Sequence, residues 1–145
     1  MALPNKNPYD QYKETQVTTA NQGKLIVMLY DGAIKFLNIA AENMDSPRTY
    51  DVANNNIIKA QDIITELLLS LNMNEGGEIA GNLFNLYMFF KKQLLEANIS
   101  KESEKIKPVI ANLKVLRDAW DQISANEAKT DHMNMNGKGS FSIEG

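Results

Sequence analysis

The sequence predicts an all-α protein, an antiparallel up-down four-helix bundle with an additional short N-terminal helix. Apolar residues recur at spacings of three and four in four long segments, which is the period of a helix face packed against other helices. Strand-like alternation is weak, and Gly and Pro, with 8 and 4 copies in 145 residues, fall mostly between or at the ends of these segments. Connections of about 4 to 7 residues are too short for parallel crossovers, so neighbouring helices should run antiparallel.

Each of the four segments carries one apolar stripe. The first helix is predicted from about Asn21 to Met44, and the second from about Thr49 to Leu71. Two adjacent glycines precede the third helix, over about residues 78–99, and the fourth covers about residues 103–125. The stripes are Ile26, Tyr30, Ala33, Leu37, Ala40 and Met44; Ile57, Ala60, Ile64, Leu67 and Leu71; Ala80, Leu83, Tyr87, Phe90, Leu94 and Ala97; and Ile106, Val109, Leu113, Leu116, Trp120 and Ile123.

The two ends of the chain differ from the bundle in composition. Residues 7–13 are predicted to form one or two helical turns that place Tyr9 and Tyr12 on the same side. Residues 129–145 are rich in Asn, Gly, Ser and Met without a period, which predicts a mobile tail. We therefore divide the chain into an N-terminal cap segment, residues 1–20, a four-helix bundle, residues 21–128, and the tail.

The start of the fourth helix has two interpretations. Pro108 either lies in the first turn of this helix, where its missing N–H costs nothing, or kinks a helix that begins near Ser100 or Ser103. The sequence does not choose between them.

Composition excludes several classes of protein. The net charge of −3 and the pI near 5.2 argue against a nucleic-acid partner. The longest apolar run, Leu25 to Tyr30, is far shorter than the roughly 20 residues of a membrane helix, so no membrane insertion is expected. Without cysteine there is no disulfide framework or thiolate metal site, and without a secretory signal we expect a cytoplasmic location.

The sequence lacks well-placed histidines and buried acidic pairs, on which several common kinds of catalytic site depend. The only histidine, His132, lies in the predicted tail, which argues against a di-iron bundle, a histidine phosphotransfer bundle and Ser-His-Asp catalysis. The acidic pairs Asp118 with Asp121 and Glu75 with Glu78 are best explained as exposed helix residues. We predict no enzyme, no cofactor and no metal site.

The first and third helices carry more apolar residues than a plain bundle needs. Residues 22–44 contain 14 and residues 78–99 contain 13, against about 10 and about 9 expected for a bundle helix. The surplus forms second stripes that need another cover: a self-association surface, a groove for a partner helix, the N-terminal segment folded back, or burial on more sides within the bundle. The surplus residues are Leu25, Met28, Phe36 and Ile39 on the first helix and Phe84, Met88 and Leu95 on the third.

From about Asn7 to Ala125 the sequence resembles the flagellar secretion chaperones known as FliS, which bind flagellin in the bacterial cytoplasm before its export. The matching blocks include Asn7-Pro8-Tyr9 with Tyr12, Met28-Leu29-Tyr30-Asp31-Gly32, Lys59-Ala60-Gln61, Gly76-Gly77-Glu78-Ile79-Ala80 and Leu116-Arg117-Asp118-Ala119-Trp120. Each block is weak alone, and their shared order carries the resemblance.

The resemblance implies a five-helix chaperone that binds the disordered C-terminal region of flagellin, partly as helices in hydrophobic grooves, and prevents premature filament polymerisation before type III flagellar secretion. It implies an N-terminal cap, carried by Tyr9 and Tyr12, that the client displaces, and docking of the loaded complex on the flagellar export gate. The alternative is a homodimeric structural or adaptor bundle without a flagellin client, in which the surplus stripes meet in a weak homodimer. The predicted groove residues are Leu25, Met28, Leu29, Phe36, Ile39, Phe84, Leu86, Met88 and Leu95.

Overall fold

Four α-helices make up the part of the chain that the computed structural model describes, residues 22–136, with side chains described through residue 126. They are α1 (Gln22–Glu42), α2 (Tyr50–Leu69), α3 (Gly77–Ser100) and α4 (Lys107–Asn136). Two short 3-10 helices, Pro47–Thr49 and Ser103–Lys105, precede α2 and α4. No strand occurs between residues 22 and 136, which confirms the predicted all-α class. The expected cap segment, with Tyr9 and Tyr12, lies outside the described residues.

The described helices are divided between two compact units. Residues 28–117 form one unit, and the described residues 22–27 and 118–136 belong to the other. In the larger unit, α1 packs against α2: a Cβ on Gly32 would lie 3.1 Å from Cδ1 of Ile63. Four residues later on α1, the ring of Phe36 has Nζ of Lys59 5.3 Å from its centroid. Residue numbers fall along α2 as they rise along α1, so the two helices are antiparallel.

The helices α2 and α3 are antiparallel in the same way. The side chain of Asn98 donates a 2.6 Å hydrogen bond to the side-chain oxygen of Asn54. The side chain of Gln61 donates a 3.0 Å hydrogen bond to the main-chain carbonyl of Lys91. These two contacts set the register of α2 against α3.

The predicted apolar stripes lie in the core, most completely on α1, where every member of the first stripe is buried. On α3 the stripe is buried except Leu83, which is half-buried. The fourth stripe becomes more exposed towards the C-terminus: Leu116 and Trp120 are half-buried, and Ile123 is 45% exposed. The periodicity therefore identified the packed face of each helix, except over the middle of α4, where three stripe members are partly or largely exposed.

The turn between α2 and α3 depends on its two glycines. Gly77, the first residue of α3, has φ of +58°, a left-handed conformation that favours glycine. A Cβ on Gly76 would lie 2.6 Å from the main-chain oxygen of Asn72, closer than real Cβ atoms approach. Asn72 also accepts a 3.0 Å hydrogen bond from the main-chain N–H of Glu75. The glycine pair is required by this turn.

The start of α4 decides between the two interpretations of Pro108. The helix begins at Lys107, directly after the 3-10 turn of residues 103–105, so Pro108 lies in its first turn. The N–H that proline lacks has no intrahelical partner at this position. The interpretation with a kinked helix from Ser100 or Ser103 is wrong.

The C-terminal end of α4 corrects the predicted end of the fourth helix. The helix continues to Asn136, so residues 126–136, including position 132, are helical, whereas the sequence predicts that the fourth helix ends at about residue 125. A helix that has already been nucleated gains one hydrogen bond per added residue, so it extends through a stretch without apolar periodicity. Periodicity reports which helices pack, and it does not report where an existing helix ends.

The smaller unit brings the start of α1 against α4. A Cβ on Gly23 would lie 3.0 Å from Cβ of Ser124, and Ser124 is only 2% exposed. The small residues at both positions allow the close approach of the two backbones. Among the described residues no helix is long and apolar enough to cross a membrane.

Candidate functional site

The predicted groove residues on α1 are the less accessible part of the set. Leu25 and Leu29 are buried, each with 3% exposure. Met28, Phe36 and Ile39 are half-buried. These five side chains therefore contribute mainly to packing in this conformation, and their predicted role in binding stays a prediction.

Two lysines lie over the ring of Phe36. Nζ of Lys59, from α2, is 5.3 Å from the ring centroid, and Nζ of Lys35 is 6.0 Å from it. Both distances fall within the range of cation–π attraction. The face of this ring is thus partly covered by charged side chains rather than left open to an apolar partner.

The predicted groove residues on α3 are the accessible part of the set. Phe84 is 37% exposed, Met88 45% and Leu95 56%, and Ile99 extends the same face with 76% exposure. Their spacings of 4, 7 and 4 residues place them along one side of the helix, over a length of about 22 Å. We call these four residues the α3 apolar stripe.

Two details of this surface differ from the sequence-based prediction. Leu86, predicted with the groove, is half-buried and lies about 160° round α3 from Met88, away from the stripe. Ile99 is one of the 13 apolar residues of the third helix, but the sequence-based prediction assigns it neither to the surplus stripe nor to the groove. Its spacing of four from Leu95 was the signal that places it there.

The neighbouring helix α2 adds apolar area beside the stripe. Ile58 is 48% exposed, and the register of α2 against α3 brings it level with Leu94, next to Leu95. Leu69, 71% exposed, lies level with the start of the stripe near Phe84. The exposed apolar surface therefore spans both helices.

Two cations, Lys91 and Lys92, lie on this side of α3 between Met88 and Leu95, and Lys91 is the one held against α2. Lys91 lies three residues after Met88 and four before Leu95, on the same side of α3, and is half-buried. Its Nζ donates a 2.7 Å hydrogen bond to Oγ1 of Thr65 and a longer one, 3.4 Å, to the main-chain carbonyl of Gln61. Within residues 22–126 it forms no ion pair with a carboxylate.

The side chain of Gln61 completes this polar contact between the helices. Its amide group donates to the carbonyl of Lys91, while its Oε1 is buried without a hydrogen-bond partner among the described residues. Buried polar atoms are usually paired. The contact therefore joins α2 to α3 but leaves one acceptor unused.

No group of three or more His, Asp and Glu side chains able to hold a metal ion occurs in the described part of the chain. The acidic pairs Asp118 with Asp121 and Glu75 with Glu78 are exposed, as their sequence context indicated.

The most buried titratable pair belongs to the core. The hydroxyl groups of Tyr30 and Tyr87 are hydrogen-bonded at 2.5 Å, with rings tilted at 50°. Burial raises the pKa of Tyr87 above its usual value of 10.0, although the hydrogen bond to Tyr30 opposes this shift. A neutral tyrosine that is buried and hydrogen-bonded is suited to packing.

A comparison of the sequence with protein-family models identifies the family of this chain. Residues 5–127 match the model of the family described as flagellar protein FliS. The chain belongs to the FliS family. The resemblance seen in the sequence, over about residues 7–125, is thereby confirmed.

Alignments with curated relatives cover most of the chain. A flagellar secretion chaperone FliS from Bacillus subtilis is 38% identical over 130 residues, which is 88% of this chain and 93% of the relative. The protein of the same name from Vibrio cholerae is 34% identical over 110 residues, covering 76% and 80% of the two chains. The one from Salmonella typhimurium is 35% identical over 112 residues, covering 77% and 82%.

Membership in the FliS family decides the class of function. FliS is a family of flagellar secretion chaperones and not of enzymes. An exposed apolar surface fits such a family, because a chaperone binds segments of another chain rather than a reacting small molecule.

Proposed function

We propose that this chain binds the disordered C-terminal region of flagellin in the bacterial cytoplasm and prevents premature filament polymerisation before type III flagellar secretion. The observation that supports this proposal is the α3 apolar stripe. Isolated apolar side chains are normal on a protein surface, but four of them along one side of one helix, with Ile58 on α2 beside them, form an extended surface.

The proposed mechanism is holding rather than catalysis. Amphipathic segments of flagellin that would otherwise join filament subunits bury their apolar faces on the chaperone, so the free segment is depleted by mass action. Ordering a disordered segment costs about 2 to 5 kcal/mol of the gross interaction, so a large apolar area is needed. Binding of this kind requires no nucleotide.

Two further parts of the proposal concern residues and partners outside the described structure. Tyr9 and Tyr12 would act as a cap that covers part of the binding surface until the client displaces it. The loaded complex would then dock on the flagellar export gate. Both follow from the resemblance to the family.

Calorimetric titration with the C-terminal segment of flagellin from the same organism, at several temperatures, tests the proposal. We expect a one-to-one complex with a negative heat-capacity change, because apolar surface is buried. Replacing Leu95 with Asp should abolish or strongly weaken binding. The matched control is Val115→Asp on α4, since Val115 is 67% exposed and lies outside the stripe.

Sedimentation of the free protein tests the alternative function. A stable homodimer that Leu95→Asp dissociates, and that flagellin neither joins nor breaks, would support the homodimeric structural bundle. A folded monomer that does not bind the flagellin segment would contradict both functions.

A further inference from the structure

Lys91 is the half-buried one of the two lysines on the side of α3 that carries the apolar stripe. Lys91 lies between Met88 and Leu95, and its ammonium group is bound only by uncharged oxygens, the hydroxyl of Thr65 and the carbonyl of Gln61. Most of the other described lysines are exposed, whereas Lys91 is half-buried and held against α2. Its position is set by the packing of two helices.

Covering the stripe would change the electrostatic state of Lys91. A helix that buries Met88 and Leu95 must also exclude water from the side chain between them. Burying a cation without a counter-charge is unfavourable, and hydroxyl and carbonyl acceptors compensate it less well than a carboxylate does. Within residues 22–126 the protein supplies no carboxylate to this ammonium group. The exposed Asp62 on α2, one residue after Gln61, forms no ion pair with Lys91 either, which leaves the compensating charge to the partner.

We infer that Lys91 selects the client helix: the α3 apolar stripe binds an amphipathic helix that carries one Asp or Glu at the middle of its apolar face, and this carboxylate pairs with Lys91. The inference rests on the proposed function and identifies the chemistry of the segment that the stripe accepts. A fully apolar helix, or one with a basic residue at that place, is rejected because the buried cation is left unpaired.

The stripe also restricts the pattern of the client. Phe84 and Met88 lie on one side of Lys91, and Leu95 and Ile99 lie on the other, so the partner needs apolar residues on both sides of its carboxylate. A helix of about 15 residues covers the length of about 22 Å. A charged group at one place in an otherwise apolar contact fixes register, as single polar residues do in coiled coils.

Binding measurements with Lys91 variants and the flagellin C-terminal segment test this inference. We expect Lys91→Glu to weaken binding roughly 30-fold or more, because it places like charges together in a desolvated contact, and Lys91→Arg to retain binding. Lys114→Glu on α4 makes the same change in net charge at an exposed position and should leave the affinity unchanged. Circular dichroism establishes that each variant is folded.

A double-mutant cycle identifies the carboxylate. Each Asp and Glu of the flagellin segment is replaced in turn by Asn or Gln and titrated against the unmodified protein and against Lys91→Met. One replacement should weaken binding to the unmodified protein and have no effect on binding to Lys91→Met. The Lys91→Met variant keeps the inference testable if Lys91→Glu does not fold.

Three outcomes would overturn the inference. Equal affinities of Lys91→Glu, Lys91→Met and Lys114→Glu for a segment that binds the unmodified protein would exclude the ion pair while leaving the proposed function intact. A stable dimer of the free chain that Lys91→Glu dissociates would make a second copy the occupant. No binding by the unmodified protein would remove the proposed function itself.

Discussion

At the scale of single residues, two tyrosine hydroxyls meet in the core between α1 and α3. Tyr30 and Tyr87 are 0% and 2% exposed, and each supplies an aromatic ring to the packing as well as a polar atom. A buried hydroxyl costs stability unless it is hydrogen-bonded. The bond between these two groups allows both rings to be buried, and it links two helices that are not adjacent in sequence.

Replacing Tyr87 with Phe removes this hydrogen bond and keeps the ring. We expect the free energy of unfolding to fall by about 0.5 to 1.5 kcal/mol. Tyr50→Phe is the matched control, because Tyr50 is half-buried and its ring lies 5.5 Å from Nζ of Lys101. Urea unfolding measures both changes. Equal stabilities of the two variants would show that the bond between Tyr30 and Tyr87 makes no net contribution.

Alkaline pH should weaken the fold through the same residue. Because burial raises the pKa of Tyr87 in the folded state, the folded protein keeps this proton at pH values where the unfolded chain, with a pKa near 10.0, has lost it. Its contribution to stability is complete below pH 10 and is lost as the pH rises through the folded-state pKa. The free energy of unfolding should fall by at most about 1.4 kcal/mol per pH unit from this group.

Tyr87→Phe isolates that effect from other groups that titrate in the same range. Stability measured between pH 9 and 11 should fall less steeply in this variant than in the unmodified protein, because lysines are common to both. Parallel curves would contradict the assignment of the slope to Tyr87.

At the scale of elements, the end of α3 depends on an unusual backbone conformation. Lys101 has φ of 56°, in the left-handed region, and its N–H completes the cap of the helix. Glycine is the usual residue at such a position. The Lys101 side chain compensates in part, since its Nζ donates a 2.7 Å hydrogen bond to the main-chain carbonyl of Asn98 and lies near the ring of Tyr50.

Substitutions at Lys101 separate the backbone from the side chain. Both Lys101→Ala and Lys101→Gly lose the side-chain contacts, but only the glycine variant is relieved of the left-handed penalty. We expect Lys101→Gly to be more stable than Lys101→Ala by about 1 kcal/mol in thermal or urea unfolding. At Lys92, exposed inside α3, the order should reverse, because glycine destabilises a helix interior by about 1 kcal/mol relative to alanine. The same order at both positions would contradict this explanation.

The elements also show how far periodicity can predict the fold. Spacings of three and four identified four helices, because packed faces must repeat with the helix. They also identified a stripe on α1 that is buried throughout, although Leu25, Val27 and Leu29 outside that stripe are buried as well. They did not find the end of α4 at Asn136, since helix extension needs no apolar partner. The choice at Pro108 depended on a 3-10 turn, residues 103–105, which has no periodic signal.

The sequence predicted the candidate site to different extents on α1 and α3, the two helices with a surplus of apolar residues. Counting apolar residues found the excess on both, but a count does not say which neighbour covers a side chain. Leu25 and Leu29 are covered, whereas Met88 and Leu95 on α3 are exposed. The special position of Lys91 needed the register of α2 against α3, because its hydrogen-bond partners Thr65 and Gln61 come from a distant segment of the chain.

At the scale of the whole molecule, the exposed stripe links binding to stability. A client that binds the folded chain and not the unfolded chain stabilises the fold by mass action. The bound helix would also cover apolar side chains that are otherwise exposed to water. Under the proposed function, binding would therefore stabilise this chain as well as hold the client, and the exposed stripe favours association of the free protein at high concentration.

The stabilisation of the chain by the flagellin segment is the sharpest prediction at this scale. With the segment at about 100 times its dissociation constant, the free energy of unfolding should rise by about 2.7 kcal/mol, and the rise should grow with the logarithm of the segment concentration. Leu95→Asp should remove this rise and Val115→Asp should keep it, although both replace an exposed apolar side chain by the same carboxylate. Denaturant unfolding with and without the segment measures both variants. If both keep the full rise, the client binds elsewhere than the α3 apolar stripe, because losing the Leu95 side chain from a covered apolar contact weakens binding.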